Sequence, residues 1–270
     1  MSEDRERERD HDAGDAMRRD WDARARHAMR LYVATWYAHS DETWAEGTRR
    51  DAAYLMQHLP PHFGPGQACL DLGCGAGRLL PALAERFERV LGVDVSPEML
   101  AQARELVDGD GRIALQLVDG RTLDGLPDAG FHFVLANAVF IHCGAEVIAD
   151  LLQEVSRVLA PGGLLAATFN SAEPPPDVPA HVRAAGGVGA AGDPRDAARE
   201  RAGSDAAASA TPLPAPRVTP ADLALIGGPT WDGARFTRAA LLAALSAARL
   251  APHSVQAMDT VWNVVVERAK

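Results

Sequence analysis

The chain has 270 residues, and its 37 Asp and Glu outnumber its 27 Lys and Arg, which gives a formal net charge of −10. With 47% hydrophobic residues the composition is that of a globular protein, whereas the acidic balance argues against a nucleic-acid partner. The only lysine is Lys270, which excludes a lysine nucleophile inside the fold. Because the sequence shows no signal peptide, no run of roughly 18 apolar residues and only three cysteines, we expect a cytoplasmic protein with small-molecule partners and no membrane contact.

The N-terminal part divides into two segments. Residues 1–20 alternate acidic residues with arginine and offer little to bury, which predicts a disordered charged tail, the other interpretation being a solvated helix. Residues 21–66 hold all three tyrosines and three of the five tryptophans, and we expect a helical lid there. Its aromatic side chains could serve only to pack the helices, or could also contact a ligand. Both interpretations stay open.

Residues 67–170 alternate short apolar runs with stretches of helical periodicity. The pattern predicts strands at 68–72, 90–94, 113–118, 131–136 and 164–169, with helices between them. Such alternation is typical of parallel strands joined by right-handed crossovers, which build a doubly wound α/β sheet. Ligands of these sheets bind beyond the carboxyl ends of the strands.

The last hundred residues begin with a change in composition. Residues 171–230 are rich in alanine, proline and glycine, and we interpret them as an insertion that is mobile or caps the site. Residues 231–270 then predict a helix at 237–250 and two strands at 255–258 and 261–266, which complete the core. The whole pattern predicts a seven-stranded sheet that is mostly parallel and ends in a C-terminal antiparallel hairpin.

A glycine-rich turn follows the first predicted strand, in the sequence Asp71-Leu72-Gly73-Cys74-Gly75-Ala76-Gly77. Glycines at a strand-to-helix turn let the backbone bend sharply and let a ligand lie against the main chain. Asp94, about 20 positions further on, ends the second predicted strand, where a carboxylate can accept both hydroxyls of a ribose. The third glycine stands one position too early for a dinucleotide fingerprint, which argues against NAD and leaves another adenosine ligand.

These segments resemble the class I S-adenosylmethionine-dependent methyltransferases, which have a Rossmann-like fold. The first motif of the family is similar to residues 70–77, its ribose carboxylate matches Asp94, and its adenine-side acid matches Asp119, for which a purely turn-forming role is the alternative. The resemblance extends over about 67–170 and 235–268. It implies S-adenosyl-L-methionine as cofactor and S-adenosyl-L-homocysteine as product. The implied cofactor-binding residues are Asp71, Gly73, Cys74, Gly75, Gly77, Asp94, Val95, Met99, Asp119, Gly120, Arg121 and Asn137.

The reaction implied by the resemblance is in-line transfer of a methyl group to an O, N or C nucleophile of a small molecule, which we expect to be a specialised metabolite. His142, after the fourth predicted strand, is the first candidate for a catalytic base, and His39 is the second. The candidate acceptor-binding residues are Tyr32, Trp36, Tyr37 and Phe140.

Further expectations concern metals, partners and rival functions. Metal-dependent members of the family place acidic ligands after the fourth strand, and this stretch has none before Glu146, so we expect no metal. A homodimer is left open. The alternative function is a protein that uses the same pocket as a cyclase or as a non-catalytic regulator.

Overall fold

The computed structural model describes residues 3–34, 37–38, 40–59, 63–173, 233–258 and 261–269. The predictions at Trp36 and His39, and nearly all of the predicted insertion at 171–230, lie outside these ranges. The helices in the described ranges are α1 (Glu3–Val33), α2 (Asp41–His58), α3 (Leu80–Arg86), α4 (Pro97–Val107), α5 (Ala145–Val158) and α6 (Arg238–Ala247), with a short 3-10 turn at Phe140–His142. The strands are β1 (Ala68–Leu72), β2 (Arg89–Asp94), β3 (Ile113–Leu117), β4 (Phe131–Ala136), β5 (Leu159–Ser171), β6 (Arg235–Phe236), β7 (Leu250–Met258) and β8 (Val261–Arg268).

The strands form one sheet in the order β3-β2-β1-β4-β5-β8-β7, with β6 paired to the end of β5. Strands β1 to β6 pair in parallel, whereas β8 runs antiparallel to both β5 and β7. The predicted fold class, a mostly parallel Rossmann-like sheet with an antiparallel C-terminal hairpin, is confirmed. The sheet has one strand more than predicted, because the two-residue β6 depends on pairing with Asn170 and Ser171 rather than on any periodicity of its own.

The sheet is covered on both faces by helices. Successive strand residues point to opposite faces, so Leu70 belongs to one buried cluster and its neighbour Cys69 to the other. The first cluster packs against α5 and α6, and the second against α3 and part of α2. Phe63, Phe87 and Phe133 lie in the second cluster with ring centroids 5.7 to 5.8 Å apart.

Helix α1 takes in the charged segment for which a disordered tail was predicted, with a solvated helix as the other interpretation. Ion pairs one turn apart support the helix, since Arg18 reaches Asp15 and Arg24 reaches Asp20 at 2.9 Å. The backbone leaves the helical region at Ala28 (φ −161°, ψ 66°), where two helical segments meet. None of the described helices combines the length and the apolar character needed to cross a membrane.

Candidate active site

One cavity opens at the carboxyl ends of β1, β2 and β4, under the second half of α1. Its empty space, including the open mouth, is about 1040 Å³. This is the edge of a parallel sheet at which ligands are expected to bind. The predicted site residues that line it are Tyr32, Asp71, Gly73, Cys74, Gly75, Asp94, Val95, Met99, Gly120, Asn137 and His142.

The glycine turn leaves β1 in a conformation that glycine adopts easily. Gly73 has φ +70°, and its amide and that of Cys74 both donate to the carbonyl of Val93 at 2.8 and 2.9 Å. A Cβ atom on Gly73 would lie only 2.5 Å from Cγ2 of Val139, in the loop after β4. The absence of a side chain at Gly73 therefore lets the two loops that flank the cavity approach each other.

Asp94 ends β2 at the cavity wall and is 8% exposed. The amide of Gly75 donates to its Oδ2 at 2.8 Å, and the amide of Ser96 donates to its Oδ1 at 2.9 Å. Burial raises the pKa of Asp94, as does the nearby Asp22, while these amides oppose the rise. Because each carboxylate oxygen can accept more than one hydrogen bond, Asp94 retains the capacity to accept two ligand hydroxyls.

Asp71 is the second buried carboxylate of the cavity and is 4% exposed. Burial raises its pKa from 3.8 to about 7; Arg78 opposes this rise, and Asp94 adds to it. The protonation of Asp71 therefore responds to pH near neutrality and to any charge that enters the cavity.

His142 ends the 3-10 turn that follows β4. The turn is anchored by Phe140, which is fully buried and stacks on Phe169 with ring centroids 4.8 Å apart. It is also held through its backbone, since the side-chain amide of Asn170 donates to the carbonyl of Ile141 at 2.8 Å. The ring of Trp21, from α1, meets the His142 ring edge-on with a centroid distance of 5.1 Å and an interplanar angle of 73°.

Several predicted residues lie away from the cavity lining. Phe140 is in the core, and Gly77 packs against α4, where a Cβ would meet Ala103 at 3.0 Å. Tyr37 lies against α2 and donates from its hydroxyl to Asp51 at 3.2 Å. Arg121 pairs with Asp150.

Asp119 is exposed, while its neighbours Val118 and Gly120 line the cavity. Its carboxylate accepts from the amides of Arg121 and Thr122 at 2.8 and 2.7 Å, as expected of an aspartate that forms its own turn. An adenine-side role for Asp119 stays a prediction.

Sequence reasoning missed further cavity residues, among them three on α1 and one directly after the glycine turn. Met17, Trp21 and Val33 reach the cavity from α1, and Arg78 lines it directly after the glycine turn. The crowding of aromatic residues was a signal for Trp21, but no periodicity in the sequence says which helix residues will meet the site. For Arg78, a charged residue between a glycine turn and an apolar helix is a signal for an inward-facing charge.

Comparisons with known proteins show which proteins this chain resembles. Residues 69–163 match the family described as a methyltransferase domain. The trans-aconitate 2-methyltransferase of Methylobacterium nodulans is 35% identical over 136 residues, which are 50% of this chain and 49% of that protein. The chain spans about half the length of the curated relatives it matches.

Solved structures share the fold at lower sequence identity. A chain of the complex containing the Haloferax volcanii Trm112 methyltransferase activator has a TM-score of 0.59 and 18% identity, with 93% of this chain and 98% of that chain covered. The geranyl diphosphate C-methyltransferase of Streptomyces coelicolor, solved with Mg²⁺, geranyl-S-thiolodiphosphate and S-adenosyl-L-homocysteine, has a TM-score of 0.54 and 15% identity, with 82% and 76% covered. Residues 69–163 therefore match a methyltransferase domain, and the chain shares the fold of these solved structures.

Proposed function

We propose that the chain transfers the methyl group of S-adenosyl-L-methionine to a small-molecule acceptor by in-line displacement. The observation that carries this proposal is that the glycine turn, Asp94 and His142 all line one cavity. The first two are suited to an adenosine ligand, and the histidine is suited to a proton transfer. A cavity of about 1040 Å³ with its mouth leaves room for a cofactor and a small acceptor together.

The residues present fit the cofactor. Asp94 would accept from the ribose hydroxyls, since both of its oxygens keep acceptor capacity beside the amides of Gly75 and Ser96. Gly73 and Gly75 present main chain without side chains, against which the sugar and the amino-acid part would lie. Asp71 would face the positively charged methionine end. When bound, S-adenosyl-L-methionine supplies a methyl group on a sulfonium, which is the reactive centre.

The protein contributes position, exclusion of water and a base. The cavity wall formed by α1 covers the site, with Met17, Trp21 and Tyr32 in its lining. Holding a nucleophile in line with the methyl group can supply roughly 7–11 kcal/mol of the barrier. His142 would accept the proton of a hydroxyl or acidic carbon on the acceptor, which typically adds a factor of about 10²–10⁴.

The same proposal covers the methyl acceptor, the cellular location and the partners. Relatives named trans-aconitate 2-methyltransferase make a small carboxylate the first acceptor to test, and a specialised metabolite is the other class we propose. The net charge of −10 supports a reaction that does not involve nucleic acid. Three buried free cysteines support a cytoplasmic location. We propose metal-independent transfer; a homodimer would be compatible with it.

The test is transfer of a labelled methyl group from S-adenosyl-L-methionine to trans-aconitate and to a panel of small hydroxyl, amine and carboxylate compounds. Asp94→Asn keeps one acceptor oxygen and should weaken cofactor binding about tenfold or more, measured by isothermal titration calorimetry. Asp124→Ala, which removes an exposed carboxylate, is the control. Unchanged affinity in Asp94→Asn would refute the assignment. Cofactor binding without transfer to any compound would favour the cyclase or regulator.

A further inference from the structure

The charged side chains that line the cavity offer little to attract an anionic acceptor. Asp71 and Asp94 are both buried carboxylic acids. Among the lining residues of the described chain, Arg78 is the only arginine or lysine, and its Nη1 lies 2.8 Å from Oδ2 of Asp51 in an ion pair that offsets its charge. The sequence at 174–232, outside the described ranges, contains more acidic than basic residues and so adds no excess of positive charge.

The cavity lining around His142 is apolar. The ring of Trp21 contacts the His142 ring, and Met17, which also lines the cavity, lies one helical turn before Trp21 on the same face of α1. From the other side, the carbonyl of Val139 accepts from the amide of His142 at 3.0 Å and from the thiol of Cys143 at 3.5 Å. We call Met17, Trp21, Val139 and Cys143 the apolar wall.

The side chains of the apolar wall carry no charge. Burial raises the pKa of the Cys143 thiol to about 12, so this group stays neutral. Arg24 lies 4.8 Å from the centroid of the Trp21 ring, but it is not a lining residue and it pairs with Asp20 at 2.9 Å. A carboxylate placed against this wall would lose water without gaining a charged partner, whereas an apolar surface is stabilised by leaving water.

Val139 places the apolar wall next to the glycine turn. A Cβ atom on Gly73 would lie 2.5 Å from Cγ2 of Val139, so the wall begins where the cofactor is proposed to lie. An acceptor that reaches the methyl group from the side of His142 would therefore contact the apolar wall.

We propose that the methyl acceptor is an uncharged, largely apolar compound with a hydroxyl group, and that Met17 and Val139 select it over carboxylate acceptors. The proposal rests on the proposed function and narrows its acceptor class. It separates this chain from the relatives named for trans-aconitate, which is a polycarboxylate. The hydroxyl would lose its proton to His142 as its oxygen takes the methyl group, leaving a methyl ether and S-adenosyl-L-homocysteine.

The experiment compares two phenols that differ by one negative charge. Phloretate carries a carboxylate far from its hydroxyl, whereas its methyl ester is neutral. Both compounds, and trans-aconitate, are titrated calorimetrically into the full chain loaded with S-adenosyl-L-homocysteine. In wild type we expect the ester to bind about tenfold or more tightly than either carboxylate, because only the carboxylates lose water without a charged partner. Transfer of a labelled methyl group to the same compounds should follow the same order.

Three variants test the role of the apolar wall. Met17→Arg places a cation in the wall, at a helix position that already precedes Arg18 and Arg19, and should lower the ratio of ester affinity to phloretate affinity about tenfold. Met17→Leu changes the shape of the side chain without adding charge and should keep the ratio. Leu106→Arg adds the same charge at an exposed position of α4 outside the lining, and should also keep it.

A preference of about tenfold or more in wild type that falls only in Met17→Arg supports the proposal. Equal or tighter binding of either carboxylate by wild type overturns it, as does failure of the loaded chain to bind the ester or any of a panel of neutral phenols and alcohols. An unchanged ratio in Met17→Arg overturns the assignment of the selection to the apolar wall. The wild-type comparison stands even where Met17→Arg fails to fold. If wild type does not bind S-adenosyl-L-homocysteine, the proposed function itself fails, which is a different result from any change in acceptor preference.

Discussion

Asp22 of α1 accepts a hydrogen bond from the hydroxyl of Ser96 at 2.5 Å, although 74 residues separate them in the chain. Ser96 is the N-cap of α4, where its Oγ accepts from the amide of Met99 at 3.1 Å, and its own amide holds the carboxylate of Asp94. One serine therefore connects the helix that covers the cavity to the carboxylate assigned to the ribose. The docking of α1 and the geometry of Asp94 are linked through this contact.

The first prediction concerns this contact. Asp22→Ala removes the acceptor for Ser96 and should lower the free energy of unfolding by about 1 kcal/mol, as loss of one buried hydrogen bond does. Hydrogen exchange in the second half of α1 should accelerate, because that half loses an anchor on α4. Asp22→Asn keeps an acceptor oxygen and is the matched control. Equal losses in the two variants would show that the negative charge of Asp22, rather than its hydrogen bond, holds the helix.

The second prediction concerns the pH dependence of stability. The pKa of Asp71 is about 7 in the folded protein against 3.8 for an unperturbed carboxyl, so the folded state without ligand binds the proton more tightly than the unfolded state. Its contribution is fully present below the unfolded pKa and is lost as pH rises through about 7. The shift corresponds to at most about 4 kcal/mol.

Asp71→Asn should remove this part of the pH dependence. Denaturation by urea at about pH 5 and about pH 8 should show wild type losing more stability than Asp71→Asn as pH rises. Burial also raises the pKa of Asp94, which contributes in the same direction and remains in the variant. Identical losses for wild type and Asp71→Asn would contradict a neutral, buried Asp71 at low pH.

Much of the core could be predicted because its signals are local. The run Ala68–Leu72, the glycines after it and Asp94 one strand later are close together in the chain, and their spacing reflects backbone geometry that is repeated wherever this turn occurs. The strand β6 could not be predicted, since two residues have no periodicity and pair only because β5 lies beside them.

The site residues that the sequence did not predict reach the cavity through tertiary contacts. Met17 lies in a segment whose composition resembles a solvated tail, and it becomes a wall residue only because α1 docks on α4. Arg78 is next to a recognised motif, but its partner Asp51 comes from another helix. The side chains that a docked helix buries depend on how well its surface fits the surface beneath it. The spacing of residues in a single sequence does not reveal that fit.

The third prediction concerns Gly233, whose backbone pairs with the 3-10 turn. Its amide donates to the carbonyl of Ile141 at 2.9 Å, and the amide of Ala234 donates to that of Cys143 at 2.8 Å. A Cβ atom on Gly233 would lie 2.6 Å from the Ile141 oxygen and 2.7 Å from the Cys143 nitrogen, so this backbone pairing leaves no room for a side chain.

Gly233→Ala should displace the turn that carries His142 while leaving the glycine turn and Asp94 in place. Since a shift of about 1 Å in a catalytic group can cost up to about 100-fold, we expect a large loss of kcat with little change in cofactor affinity. Gly64→Ala, at a glycine with nothing within 4 Å of the added Cβ, is the control and should leave both unchanged. Full activity in Gly233→Ala would mean that the position of the turn does not matter for transfer.

The fourth prediction concerns Trp21 and His142, whose rings meet edge-on at 5.1 Å. Such a contact is worth about 0.5–1.5 kcal/mol, enough to favour one ring orientation of the histidine over others. Trp21→Ala should therefore lower kcat about tenfold. Trp21→Phe keeps an aromatic ring under Arg24, which lies 4.8 Å from the Trp21 centroid, and should lower kcat less.

His142→Gln should lower kcat by about 10²–10⁴ if the ring is the base. The decisive comparison uses the double variant. If Trp21 acts through His142, Trp21→Ala should cause little further loss of kcat in His142→Gln. The alkaline plateau of the pH–rate profile should be absent from both His142→Gln and the double variant. Additive losses would instead assign Trp21 to binding the acceptor directly, independent of the histidine beside it.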